Sequence, residues 1–279
     1  MNIIKQALKL TARMKINSCY LRDDLSRAWA DQPVFDLVAK LDGEIFRSKE
    51  GRRTLRFALN NHSYFLKYHA GVGWLEIFKN LLALRLPIIS ARNEWQAIQF
   101  LQQHGLDTMT LAAYGERGWN PARRQSFVIT DDLTETMSLE WLGEQWQQRP
   151  PSYASKQALI HKLADISRIM HRNGMNHRDY YLCHFLLDES FAQTNEFTVD
   201  TPVYLIDLHR AQLRKQTPER WIIKDLGSLY FSASRVPLTR RDKLRFMKIY
   251  SGLPLRQLLN TQQRFWQQVQ QRADALLAE

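Results

Sequence analysis

The sequence predicts an α+β chain of two lobes, a β-rich N-lobe followed by a helical C-lobe. Three observations carry this expectation. Residues 41–67 read as short strands broken by turn residues, "TMTLAAYG" and "SFVIT" add two more, and after "DDL" at 131–133 the chain becomes predominantly helical. A length of 279 residues admits one large domain or two lobes, and 44% hydrophobic residues support a real core. The expected boundaries are a basic amphipathic extension over 1–33, the N-lobe over 34–130 and the C-lobe over 131–279.

The first sixteen residues, "MNIIKQALKLTARMKI", place Ile3, Ala7, Leu10 and Met14 on one helical face among Lys5, Lys9, Arg13 and Lys15. Such a helix can lie on an anionic bilayer or pack on the domain. Next, "DGEIFRS", "RRTLRFAL" and "SYFLKYH" read as a three-stranded meander, with Asn60-Asn61 as a hairpin turn and Lys67 at the end of the third strand. "WLEIFKNLLALRLP" reads as a helix stopped by Pro87. "ARNEWQAIQFLQQHG" reads as a second helix, capped by Ser90 and ended at Gly105. In the second half, "YASKQALIHKLADISRIMHRNG" has helical apolar spacing up to Gly174. A polar insertion spans 188–201, "VYLIDLH" reads as a strand ending in an acid, and three helical stretches complete the chain.

A net charge of +11 calls for an anionic partner: nucleotide phosphates, an acidic membrane surface, an anionic glycolipid or nucleic acid. No nucleic-acid-binding motif accompanies the charge, so no nucleic-acid partner is expected. Two cysteines, Cys19 and Cys183, support neither a disulfide framework nor a cysteine zinc site and suit a reducing cytosol. No apolar run approaches the roughly 18 residues of a spanning helix, and no signal peptide is visible. The expectation is a soluble or peripheral protein.

The chemistry lies in "NHRDYYLCHFLL" (176–187) and "VYLIDLH" (203–209). Phosphoryl transfer needs one carboxylate at the attacking hydroxyl and another on a Mg²⁺ that bridges phosphate oxygens. Asp179 suits the first role and Asp207 the second. A β-rich half followed by a helical half, with His177-Arg178-Asp179 and a second acid 28 positions later, resembles the two-lobed protein-kinase-like fold. That resemblance implies ATP and Mg²⁺. It makes Lys67 the phosphate-contacting lysine, with Glu94 as its partner and Glu76 as the rival. It makes "FVITDDL" the stretch between lobes that meets adenine, so Thr130, Asp131, Asp132 and Leu133 are expected nucleotide contacts, mostly through main chain. It also makes Asp225 the buried acid that holds the catalytic loop.

Two departures stand out. "FRSKEGRRT" has a single glycine, Gly51, where the fold usually carries a glycine-rich phosphate loop, so Lys49, Arg52 and Arg53 either supply side-chain charge or form a solvated turn. His184 occupies the place of the metal-binding Asn, and Mg²⁺ prefers oxygen. It can bind Mg²⁺ weakly, contact phosphate, or brace the loop.

A narrower resemblance rests on "RRTLRF", "YFLKYH", "EIFKNLLALRLPI", "EWQAI", "NHRDYYLCHFLL", "IDLHRAQLR" and "KDLGSLYFSA", in order from about residue 33 to 260. Together they resemble the lipopolysaccharide core heptose(I) kinase family. This implies ATP-dependent phosphorylation of the first heptose of the inner core. The acceptor would be an anionic glycolipid at the cytoplasmic face of the inner membrane, with peripheral membrane contact. Arg178, His209 and Arg210 are the tentative acceptor contacts, with a salt bridge as the alternative for Arg210. "FKNLLALRL" would touch lipid or acceptor, or pack within its lobe. Kinases for the second heptose or Kdo, and a non-catalytic pseudokinase scaffold, are the competing readings.

Overall fold

The computed structural model describes residues 16–49, 51–82 and 89–279. The amphipathic helix expected over the first sixteen residues lies almost wholly outside them, as do Pro87 and Arg85. Two units are distinguished, one of the residues up to Ile98 with Met109–Asp132, the other of Gln99–Thr108 with Leu133–Glu279.

The first unit is built on six antiparallel strands: β1 (Ile16–Leu21), β2 (Glu44–Lys49), β3 (Arg52–Leu59), β4 (His62–His69), β5 (Leu111–Arg117) and β6 (Gln125–Asp131). Their order in the sheet is β1-β5-β6-β4-β3-β2. The β3–β4 hairpin turns through Asn60 and Asn61, both at positive φ, the conformation a two-residue hairpin with matching twist requires and asparagine tolerates. Alternation along β4 sends Tyr64, Leu66 and Tyr68 into the core and Lys67 to the other face. Two short helices, α1 (Asp23–Ala28) and α2 (Val34–Lys40), bury Leu25, Trp29, Phe35 and Val38 against Leu55, Phe57, Phe127 and Ile129 of the sheet. Residues 16–33, read from the sequence as an extension, therefore supply an edge strand and a core helix of this unit. Burying Leu25, Phe35 and Val38 of the helices and Trp29 just past α1 contributes on the order of 1.5–3 kcal/mol each.

Between β4 and β5 run α3 (Gly73–Leu82) and α4 (Arg92–Gln103). The start of α4 is tied down by polar bonds. The Ser90 hydroxyl accepts from the Arg92 amide at 3.0 Å and donates to buried Glu116 at 2.6 Å, while the Ser126 hydroxyl accepts from the Ala91 amide at 2.9 Å. Arg92 closes the set with a 2.8 Å bond to Glu116. These satisfy donors that a helix start leaves open.

The second unit carries α5 (Leu139–Gln145), α6 (Tyr153–Arg172), α7 (Glu189–Thr194), α8 (Glu219–Ser232), α9 (Arg240–Ser251), α10 (Leu255–Thr261) and α11 (Gln263–Ala278). Its sheets are small. β7 (Thr136–Ser138) and β10 (Tyr204–Leu205) flank β9 (Phe185–Asp188), and β8 (Met175–Asn176) pairs with β11 (Gln212–Leu213). Helix α6 begins at Ser152, whose hydroxyl accepts from the Ser155 amide, and α9 begins in a Thr239–Asp242 capping box. The expected strand "VYLIDLH" shrinks to Tyr204–Leu205, and the polar insertion contains α7.

Gly174 ends α6 at φ +92°, and a Cβ there would sit 1.8 Å from the carbonyl oxygen of Arg214, the residue that follows β11. No side chain fits without moving that backbone. Gly174→Ala is expected to cost about 2 kcal/mol or more. The drop would appear as a fall of roughly 5 °C in Tm, whereas an unchanged Tm would contradict the assignment.

Candidate active site

Two segments of the second unit carry the acids and bases singled out from the sequence, residues 177–184 between β8 and β9, and 206–211 between β10 and β11. Because β8 pairs with β11 and β9 with β10, both segments are pinned at both ends and run side by side. That pairing joins acids and bases far apart in sequence. Arg210 Nη1 donates to Asp179 Oδ1 at 2.6 Å. His184 Nδ1 lies 2.7 Å from the Asp179 carbonyl oxygen, and its Nε2 lies 3.6 Å from Asp207 Oδ2. His209 Nδ1 meets Asp207 Oδ1 at 2.8 Å. The strand before Asp207 is fixed by Thr108, whose hydroxyl donates to the Leu205 carbonyl at 2.7 Å, and by the Leu205 amide, which donates to the Asp107 carbonyl at 3.0 Å.

The loop holding Asp179 is clamped from α8. The buried Asp225 carboxylate accepts the His177 amide at 2.6 Å and the Arg178 amide at 2.8 Å, with His171 Nε2 a further 3.4 Å away. The clamp agrees with the role expected of Asp225. It also accounts for the backbone of Arg178, held at φ +77°, a conformation that costs a non-glycine residue about 1–3 kcal/mol. Asp207 sits at φ +58°, where aspartate is better tolerated.

His177 is fully buried, so it is structural. Its Nδ1 accepts the Asp179 amide at 3.3 Å, which leaves Nε2–H to donate to the Ile206 carbonyl at 2.9 Å and assigns the neutral tautomer from the network. Burial holds its pKa below the ordinary histidine value. For His184 burial also opposes charge. The Cys183 side chain, the Asp179 carbonyl and the Asp207 carboxylate outweigh it and push the pKa up to about 9.

In the first unit, Lys67 Nζ donates to Glu94 Oε1 at 2.7 Å, with Glu94 almost wholly buried and Lys67 partly open. Lys67 sits in the middle of the sheet, opposite Thr54 on β3 and Val128 on β6. The side chains of the expected nucleotide-binding stretch are already engaged. Asp131 takes two bonds from Arg22, at 2.8 and 2.7 Å, and one from His62 at 2.9 Å. Asp132 meets Ser63 at 2.9 Å and Arg56 at 2.8 Å. Thr130 is buried in the sheet, and the amides of Asp131 and Asp132 donate to the carbonyls of Thr110 and Ser63. Leu133 begins the second unit's run, its carbonyl accepting from Thr136 at 3.0 Å.

The basic turn behaves differently from a phosphate loop. Arg53 donates to the Val38 and Ala39 carbonyls at 3.2 and 3.0 Å, capping the C-terminal end of α2 where carbonyls lack partners. Gly51 packs against the Gly71 carbonyl and accepts the Ala70 amide at 2.7 Å. Of the tentative acceptor contacts, Arg210 is in a salt bridge with Asp179, His209 is bonded to Asp207, and Arg178 lies with its guanidinium carbon 5.1 Å from the centre of the Trp221 ring. Arg22 was missed by sequence reasoning, and no local signal links it to Asp131, 109 positions away.

A native histidine held neutral makes unfolding easier at low pH, because below about 6.5 the unfolded chain takes up a proton that the folded one refuses. Stability should therefore fall between pH 7 and 5. In His177→Gln the difference in urea-unfolding free energy between those pH values should shrink by about 1–2 kcal/mol. An equal difference in both proteins would contradict the neutral assignment.

The model of the lipopolysaccharide kinase (Kdo/WaaP) family matches residues 36–250. The lipopolysaccharide core heptose(I) kinase WaaP of Pseudomonas aeruginosa is 48% identical over 239 residues, 86% of this chain and 88% of that protein. The protein of the same name from Escherichia coli K12 is 48% identical over 243 residues, 87% of this chain and 91% of that one. A solved structure titled "WaaP in complex with acyl carrier protein" superposes with a TM-score of 0.79 at 41% identity, covering 93% of this chain and 99% of that one. The shared architecture is the kinase-like fold. The chain belongs to the lipopolysaccharide kinase (Kdo/WaaP) family.

Proposed function

We propose that this chain transfers the γ-phosphoryl group of ATP to a hydroxyl on the first heptose of the lipopolysaccharide inner core. The observation that carries the reading is 48% identity to a heptose(I) kinase over 86% of the chain. Asp179 and Asp207 on adjoining segments supply the two carboxylates the reaction needs.

In this reading Asp179 orients the heptose hydroxyl and accepts its proton as the new O–P bond forms and the bond to the ADP oxygen breaks. Arg210 fixes the Asp179 carboxylate through its 2.6 Å bond. Lys67, steadied by Glu94, contacts the nucleotide phosphates. Thr130, Asp131, Asp132 and Leu133 border the adenine, and the engaged amides of Asp131 and Asp132 leave carbonyl oxygens as their main-chain contribution.

Mg²⁺ bound mainly through phosphate oxygens needs only one or two protein carboxylates. Asp207 fits that demand, although no group of three or more His, Cys, Asp or Glu residues that could hold a metal occurs among the described residues. Asp207 would hold the ion, which when bound neutralises charge across the phosphates. His184 donates through Nδ1 to the Asp179 carbonyl and braces the two segments.

The acceptor's lipid places the enzyme on the cytoplasmic face of the inner membrane. No helix among the described residues is long and apolar enough to cross a membrane. Helix α3 exposes Trp74, Leu75, Phe78 and Leu82 with Lys79 beside them, a face suited to peripheral contact. The solved relative's complex makes an acyl carrier protein a candidate partner here too.

The test is mass spectrometry of lipopolysaccharide core from cells lacking this gene, complemented with wild type, Asp179→Ala or Lys67→Ala. One phosphate on the first heptose should return with wild type and with neither variant, a loss of activity of at least about 100-fold in each. A phosphate restored on the second heptose or Kdo instead would move the reading to another core sugar. Full restoration by Asp179→Ala would refute the mechanism.

A further inference from the structure

Helix α8 does more than supply Asp225. Trp221, Lys224 and Asp225 stand at helical spacings i, i+3 and i+4 and so share one face. Asp225 binds the amide of Arg178, and the same contact brings the Arg178 guanidinium over Trp221, 5.1 Å from the ring centre. Lys224 Nζ lies 4.7 Å from that centre and the Arg220 guanidinium carbon 5.5 Å. Arg214 does not stack on the indole but lies near enough to Arg178 and Arg220 for their charges to act on one another. Its side chain bonds to the neutral Asn176 and Gln212 side chains. Arg178 is destabilised as a cation by burial first and then by the charges of Arg210 and Arg214, and Arg214 by burial and then Arg220.

The charge is balanced only in part from within the protein, by Asp179 and Asp225 acting on Arg178. Among the described residues, no carboxylate lies within ion-pair distance of Arg178, Arg214, Arg220 or Lys224. Stacking on one indole offsets part of the repulsion, at about 0.5–1 kcal/mol per exposed cation. Arg220 and Lys224 are exposed and Arg178 and Arg214 half-buried, so the group is open to a ligand. It also lies beside Asp179, which follows Arg178 directly and is held by Arg210.

We infer that the Arg178–Arg214–Arg220–Lys224 cluster around Trp221 is the anion-recognition part of the acceptor site, binding phosphate or carboxylate groups carried by the acceptor next to the hydroxyl that meets Asp179. The inference rests on the proposed function and adds the chemistry by which the acceptor is chosen. An acceptor without such groups leaves most of this positive charge uncompensated, so it binds weakly. An anionic one is drawn in and fixed by bidentate arginine bonds.

The experiment measures steady-state kinetics with ATP and a soluble, deacylated, phosphate-bearing core acceptor for wild type, Arg220→Ala/Lys224→Ala and Arg220→Lys. Both positions are exposed, and a melting curve confirms that the variants are folded. The double variant should raise KM for the acceptor about tenfold while kcat and KM for ATP stay within about twofold. Arg220→Lys should retain most of the affinity. The difference should vanish when the acceptor's phosphates are removed and its carboxyls methylated. An unchanged KM for the anionic acceptor would overturn the inference. So would a defect seen only with acceptor embedded in anionic vesicles, which would assign the cluster to lipid headgroups. Absence of transfer by wild type would overturn the proposed function as well, and equal KM values with active wild type would overturn this inference alone.

Discussion

The second unit's site depends on one buried carboxylate. Asp225 accepts two consecutive main-chain amides, those of His177 and Arg178, and so holds a backbone turn that Arg178 would not adopt unaided. A carboxylate suits this task because it offers two acceptor oxygens at the spacing of neighbouring N–H groups, and charge-assisted bonds of this kind are stronger than neutral ones. Burying the charge is tolerable because it is saturated with donors. With the turn fixed, His177 reaches the Ile206 carbonyl, and the loop is locked to the segment that carries Asp207.

From that lock the other contacts follow. Two short strand pairs, β8–β11 and β9–β10, hold the segments parallel enough for Arg210 to find Asp179 and for His184 to reach both acids' neighbourhoods. The same helix that provides Asp225 presents Trp221, so loop geometry and the gathering of cations have a common origin. In the first unit an analogous division of labour is seen. Buried Glu116 anchors the start of α4, and two residues further on Glu94 holds Lys67.

Much of this was legible because local chemistry announced it. The Asn60-Asn61 turn needs positive φ at both positions, and few residue types accept that. His177-Arg178-Asp179 and the acid of "LIDLH" were found by motif, and Glu94 was preferred over Glu76 because the apolar face of its helix left it near the edge. Residues 16–33 were read as part of an extension, and the structure places a strand and a helix there; the difference has a physical reason. Helices of six and seven residues are too short to show a 3.6-residue period, and β1 is an edge strand that is mostly exposed, so neither carries a core signature. Arg53 was left open between a phosphate contact and a solvated turn, because a charge in a turn does not reveal that helix carbonyls lie within reach. The Trp221 cluster draws on positions 178, 214, 220 and 224, and only the fold makes them neighbours.

The central claim is that Asp225 creates the catalytic geometry while touching no substrate, and Asp225→Asn tests it most directly. The amide keeps size and one acceptor but sets an NH₂ group against a backbone N–H. Steady-state kinetics of this variant should show kcat lower by about 100-fold, with KM for ATP little changed and the far-ultraviolet circular dichroism of a folded protein. A folded Asp225→Asn protein that keeps kcat within a few-fold of wild type would contradict the account.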